Sequence, residues 1–287
     1  MPANPTSCLS GGGYRASARL LLTAALLALL VLPLAGRRVD AAAAGPDHLE
    51  WARRLIAGVN PETNAYASRP TVVTWSGVNG AAETRNRSVC SALVAHLMMQ
   101  AYGYRAADFA SWLGGRFPRA AGFHDAIAAG HGFDPVLRIA DIRPGDVLAI
   151  KYAPGSRPTG HVLLAASRPV ERRATEPTVP GTTQYELSVI DSSHTGHGPT
   201  DSRHYAKGKF HNGVGEGLFR LYAGPDGALA GYSWSVTKAS EFYPPSERHL
   251  VIGRLNHQVQ PTGHPGHVDA EQGDESGDDD AAPGSSR

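Results

Sequence analysis

One cysteine and one histidine are spaced along this chain in a way that could carry out nucleophilic catalysis. Cys90 sits in Arg87-Ser-Val-Cys90-Ser-Ala-Leu-Val94, at the start of an apolar-periodic stretch that runs to about Tyr102. Ser88 reads as the N-cap of that helix, which puts Cys90 in its first turn. The unpaired N–H groups there favour a thiolate and face any developing oxyanion. His161 follows the turn Pro144-Gly145, the strand-like run Val147–Tyr152 and the loop Ala153–Pro158, and opens the return strand in Gly160-His161-Val-Leu-Leu-Ala165. An imidazole entering a strand beside a helix start is what a thiol nucleophile requires as its base. Asp191 follows the run Tyr185–Ile190, where by its position alone it can cap the turn at Ser192-Ser193. The competing reading of Cys90 is a small buried hydrophobe. That of His161 is an exposed strand-end side chain.

Downstream lies a second polar concentration, His194-Thr-Gly-His197-Gly-Pro-Thr-Asp201-Ser-Arg203-His204, followed by His211 and the glycine series Gly213, Gly215 and Gly217. Three readings apply: a substrate-binding loop led by His194 and Arg203, a solvated loop, or a metal site drawing on Asp191, His194, His197, Asp201 and His204. The glycines argue against a helical metal-binding arrangement. Ser91, beside the nucleophile, and Ser192, beside Asp191, are further candidates for contact with substrate.

The elements that must position these groups are legible in outline. The periodicity predicts helices over Asp47–Val59, Ser88–Ala101, Ala106–Leu113 and Arg119–Ala129, with Gly103 closing the second. Asn60–Asn86 reads as loop-rich. Short strands are expected at Val147–Tyr152, His161–Ala165, Tyr185–Ile190, Leu218–Tyr222, Tyr232–Val236 and Leu250–Leu255, and Ser167–Thr183 reads as a surface loop. Helices first and strands second predict an α+β domain with an antiparallel sheet.

The termini differ from the middle. Arg15 and Arg19 precede an apolar run, Leu20–Ala35, and small residues follow at Ala41–Ala44, the pattern of a cleaved signal peptide. The run is shorter than the ~18 residues of a membrane span, so no stable span is expected after cleavage. Residues 1–44 are therefore read as a signal peptide, 45–262 as one domain and 263–287 as an acidic disordered tail. The chain has two cysteines, and Cys8 would leave with the signal, so the mature protein keeps one thiol in an export pathway where thiols are usually paired. The expected location is secreted or periplasmic. Formal net charge is +1 for the whole chain, too near neutral to point to a nucleic-acid partner.

Val89-Cys90-Ser91-Ala92-Leu93-Val94, Ile142-Arg-Pro-Gly-Asp-Val147 and Gly160-His161-Val162 resemble the NlpC-type cell-wall endopeptidases and related CHAP amidases of the papain-like superfamily. The resemblance covers roughly Trp75 to Ser193, and Trp75-Ser-Gly77 resembles the family's aromatic-Gly segment. It implies a papain-like α+β fold, a nucleophile at a helix start packed on an antiparallel sheet, and cleavage of an amide bond in peptidoglycan stem peptides. It also implies Cys90, His161 and Asp191 as the catalytic set, Trp75 near substrate, no cofactor and no metal. A monomer is expected. Val89 stands where the family usually has Asp, and Ala92 where it commonly has Gly. A metal-dependent hydrolase built on residues 194–211 and a non-catalytic cell-wall binding module are the two rival classes.

Overall fold

A computed structural model describes residues 46–259. The proposed signal segment and the acidic tail lie outside the described residues. Among these residues there are four α-helices, α1 (Asp47–Gly58), α2 (Cys90–Tyr102), α3 (Ala106–Trp112) and α4 (Ala120–Ala128). The Asn60–Asn86 region, expected to be loop, contains three short strands, β1 (Asn64–Ala65), β2 (Val72–Thr74) and β3 (Arg85–Arg87), which form a small sheet of their own. They are too short to carry a period-2 signal in sequence.

The remaining strands are β4 (Phe133–Pro135), β5 (Val147–Tyr152), β6 (Gly160–Ala165), β7 (Val170–Glu171), β8 (Thr183–Ser193), β9 (His204–Ala206), β10 (Lys209–Phe210), β11 (Gly213–Ala223), β12 (Leu229–Ser233), β13 (Phe242–Tyr243) and β14 (Arg248–Leu255). β9 and β10 form a hairpin. The others make one antiparallel sheet in the order β13-β12-β11-β8-β6-β5-β14-β4, with β7 paired on β8. The fold is therefore α+β with a mainly antiparallel sheet. β8 and β11 run several residues beyond the apolar stretches that announce them, because eleven consecutive register pairs hold Gly213–Ala223 against Thr183–Ser193. β7 gives the expected surface loop a short pairing of its own.

Alternation along the strands divides the sheet between two cores. Val147, Ala149, Val162, Leu164 and Ile190 meet Leu93, Val94, Leu97 and Phe123 of the helices. Leu148, Ile150, Leu163, Leu187, Val189, Phe219 and Tyr232 fill the opposite face, where no α-helix contributes and Ile139 of the short 3-10 turn Ile139–Asp141 joins them. That face is covered because the sheet curls until β12 contacts β14. Arg248 lies 3.8 Å from the Tyr243 ring centroid across the resulting seam.

One irregularity sets the site. β6 and β8 pair only at Leu164↔Ile190 and Ala165↔Val189. β6 begins at Gly160, and β8 continues to Ser193 without β6 beside it. The sheet splits at this end, and α2 packs on both strands.

Candidate functional site

The start of α2 is fixed at the split by polar side chains. Ser192 Oγ donates to the Ser88 carbonyl (2.8 Å), and Ser88 Oγ donates to Asn86 Oδ1 (2.6 Å). Asn86 Nδ2 donates to Asn64 Oδ1 (2.8 Å). Asn64 in turn pairs with both the N–H and the carbonyl of Val214, each at 2.8 Å. A chain of buried amides and hydroxyls thus ties β1, β3, α2, β8 and β11 together. Gly213 makes room for it, since a Cβ there would stand 2.1 Å from Asn64 Oδ1.

The N-cap differs from expectation. It is Val89, with no side-chain cap bond, and Cys90 is the first helical residue. Ser88 is spent on Asn86 instead. The first ladder bond, Leu93 N–H to the Val89 carbonyl at 2.9 Å, leaves the preceding N–H groups outside the helix's own pattern. Cys90 is fully buried, yet it belongs to neither hydrophobic cluster.

Across the split, His161 Nε2 donates to Asp191 Oδ2 at 2.7 Å, and both side chains are buried. This fixes the tautomer. A neutral imidazole with its proton on Nε2 presents Nδ1 as the basic nitrogen. Burial lowers the His161 pKa below its ordinary value, and the hydrogen bond and charge of Asp191 oppose that only in part. The ring is therefore neutral near pH 7, which is the state of a general base. Gly160 must precede it, because a Cβ at that position would lie 1.9 Å from the Ile150 carbonyl oxygen. Trp234 packs edge-on against the His161 ring, centroids 4.8 Å apart.

Asp191 is a mid-sheet residue of β8 paired with Gly215, so the turn-capping alternative is not what the fold uses. Its carboxylate is the hub of the buried cluster. Arg203 Nη2 donates to Oδ1 and, at 2.9 Å, to the Asp191 carbonyl. Arg203 also reaches Asp201 Oδ2 (3.0 Å), and its Nε donates to the Gly213 carbonyl (2.9 Å). Burial alone would raise the Asp191 pKa. Arg203, then His197 and the His161 hydrogen bond, overcome that and hold it well below the usual carboxylate range. His197 is buried beside them. Its Nδ1 donates to the Trp234 carbonyl (2.8 Å), and its Nε2 lies 3.1 Å from Asp191 Oδ2 without the alignment of a hydrogen bond.

Several expected roles are corrected by this arrangement. Arg203 holds no substrate: it is wholly buried and its donors are used on Asp191, Asp201 and backbone carbonyls. Ser192 is buried and occupied with the Ser88 carbonyl. Trp75 is a core residue, its indole N–H donating to the Trp51 carbonyl (3.0 Å) and its ring meeting Trp51 edge-on at 5.2 Å. Ser91 is buried in the first turn of α2. His194 is exposed and packs against Tyr66 with its ring tilted, centroids 4.2 Å apart, so it stays available at the surface.

The histidine-rich segment does not converge. His204 lies outside against Phe210, His211 beside Tyr205, and only His197 enters the cluster. Among the described residues no group of three His, Cys, Asp or Glu side chains is placed to hold a metal ion. The guanidinium of Arg203 at the hub also opposes a cation there. Its density of polar residues serves instead to lay His197, Asp201 and Arg203 over β11. The glycine series is the signal that could have revealed this. A Cβ at Gly215 would stand 2.6 Å from Arg203 Cγ, and one at Gly217 would stand 2.5 Å from Asp201 Oδ2.

Fold and site together define an α+β protein with a split antiparallel sheet, a helix start seated at the split, and a buried His–Asp–Arg cluster beside it. The chain belongs to one family with an uncharacterized protein of Acanthamoeba polyphaga mimivirus. The two are 31% identical over 230 residues, which is 74% of this chain and 97% of the viral one. No protein-family model and no solved structure matches the chain. Among the described residues no helix is long and apolar enough to cross a membrane.

Proposed function

We propose that this protein is a papain-like cysteine hydrolase, similar to the NlpC-type endopeptidases, that is exported and cleaves an amide bond in peptidoglycan stem peptides. Cys90 Sγ attacks the carbonyl, and His161 Nδ1 takes the thiol proton and returns it to the leaving amine. Asp191 holds the imidazole by its Nε2–H, and water then releases the acyl group from Cys90. The first-turn N–H groups of α2 face the oxyanion. The observation that carries this reading is the buried 2.7 Å His161–Asp191 hydrogen bond, at the end of the sheet where the only cysteine of the described residues begins a helix. The substrate class rests on the resemblance of the motifs.

The test is a digest of purified sacculi by the wild type and by Cys90→Ala, read by mass spectrometry of released fragments. Fragments from the wild type that vanish with the variant support the proposal. Identical fragments from both remove Cys90 from the mechanism. The complete burial of Cys90 favours a second reading, a module that keeps the fold and binds without cleaving. Sacculus binding with no released fragment, and a thiol that iodoacetamide labels no faster than a simple thiol, would establish that reading.

A further inference from the structure

Two carboxylates, Asp191 and Asp201, and one guanidinium, Arg203, are buried together beside His161. Arg203 pairs with both carboxylates, but by itself it leaves one negative charge without a counter-charge. A buried charge of that kind is costly unless it is matched or neutralised. The charged and titratable groups that meet there come from three places. β8 contributes Asp191, the loop after it His197, Asp201 and Arg203, and β6 His161. On the side of β11 and β12 the neighbours of His197 are Gly217, Phe219 and Trp234, which carry no charge.

His197 is wholly buried, with both ring nitrogens set against oxygen. Its Nδ1 lies 2.8 Å from the Trp234 carbonyl and its Nε2 lies 3.1 Å from Asp191 Oδ2. A carbonyl and an ionised carboxylate only accept hydrogen bonds, and a neutral imidazole carries a single N–H. Either neutral tautomer therefore presses a bare lone pair against one of the two oxygens. A proton on Nδ1 alone leaves Nε2 buried, without a hydrogen bond, against a carboxylate. A proton on Nε2 alone sets Nδ1 against the Trp234 carbonyl. Protons on both nitrogens remove both conflicts, and an ion pair with Asp191 does not require the alignment of a hydrogen bond. The backbone N–H of His197 adds a 2.8 Å bond to Asp201 Oδ2.

We infer that His197 is a buried imidazolium, the second counter-charge of the cluster and a positioning residue for the His161–Asp191 pair. Asp191 and Asp201 are then matched by Arg203 and His197, so the cluster is neutral while His161 is uncharged. His161 and His197 share one acceptor, Asp191 Oδ2, at 2.7 and 3.1 Å. His197 thus draws on the oxygen that would otherwise stabilise a protonated His161. Burial lowers the His161 pKa most, Asp191 opposes it, and the charges of His197 and Arg203 act with burial. The arrangement lets Asp191 orient His161 without turning it into a cation. Its bearing on amide cleavage rests on the hydrolase reading; the charge on His197 does not.

The test is nitrogen NMR of the full chain, labelled at the histidine rings, between about pH 5 and pH 8. It is run on the wild type and on His197→Gln, which keeps a donor for Asp191 and removes the charge. In the wild type, His197 should show both nitrogens protonated at neutral pH, while His161 shows one protonated and one bare. In the variant, the protonation midpoint of His161 should rise by about one pH unit, a roughly tenfold change in its neutral fraction below the midpoint. The Nε2–H signal of His161 on Asp191 should persist, which separates loss of charge from loosened packing. A wild-type His197 with one bare nitrogen at neutral pH overturns the inference. So does a His161 midpoint that stays or falls, or one that rises only with loss of the Nε2–H signal. The wild-type spectrum decides alone if the variant does not fold. Neither measurement involves Cys90 or a substrate, so failure here is distinct from failure of the hydrolase reading.

Discussion

Replacing Arg203 with Met is the sharpest test of the cluster that holds His161. Met follows Arg as far as the position of Nε and has none of its donors, so the variant removes the charge while keeping the stem of the side chain. The structure then contains two buried carboxylates, Asp191 and Asp201, with no guanidinium between them. Removing one partner from a buried ion pair costs about 3–5 kcal/mol, mainly because the stranded charge stays desolvated. With a urea slope of roughly 2–3 kcal/mol per molar for a domain of this size, the midpoint should fall by about 1–2.5 M near pH 7.

The pH dependence makes the test specific. In the wild type the Asp191 carboxyl is held below its unfolded value. It therefore contributes stability above about pH 4 that is lost as pH falls through the folded value. Without Arg203 the largest charge opposing burial is gone, so the folded value moves up and the stability that the carboxylate contributes above about pH 4 is reduced. The difference between the two proteins should accordingly shrink as pH falls from about pH 4 toward the wild-type folded value, and Asp201→Asn added to the variant should recover part of the loss at neutral pH. Urea denaturation followed by tryptophan fluorescence measures all of this. A loss below about 1 kcal/mol at neutral pH, or one that is constant across this range, would refute the account of Arg203 as the counter-charge of the hub.

Further expectations concern neighbouring parts. Gly215→Ala should destabilise by about 1–3 kcal/mol, because the new methyl collides with the Arg203 stem at 2.6 Å; a urea midpoint equal to wild type would show that the loop shifts at no cost. Burial lowers the pKa of His48, His96 and His161. Each then contributes stability that is whole above about pH 6.5 and is lost as pH falls toward its folded value, so the urea midpoint should drop between about pH 7 and pH 5, and a flat profile would contradict it. His161→Ala should slow alkylation of Cys90 by iodoacetamide at neutral pH with the fold intact by circular dichroism. An unchanged rate would mean that the imidazole does not act on the thiol.

Local elements were written plainly in the sequence. The four helices, the hairpin from Val147 to Ala165 and the positions of Cys90 and His161 at element starts follow from periodicity and from Gly and Pro punctuation, which act over a few residues. The α+β class follows from their order. The small strands before α2 and the hairpin β9–β10 were not legible, since two or three residues carry no period.

The site divides along the same line. Asp191 as the partner of His161 was implied by the family resemblance, with a turn cap as the equal alternative, and the structure joins the two side chains at 2.7 Å. That Arg203 would turn inward and neutralise Asp191, that Trp75 would be core, and that the histidines of 194–211 would scatter was decided only by tertiary packing. Whether a charged side chain faces water or a buried partner depends on what lies on the neighbouring strand. Here it depends on Gly215 and Gly217, residues whose missing side chains open the space that Arg203 and Asp201 fill. A sequence records the presence of such residues, but their effect exists only once β8 and β11 are laid in register, because burial energies belong to pairs of groups brought together by the fold and not to either group alone.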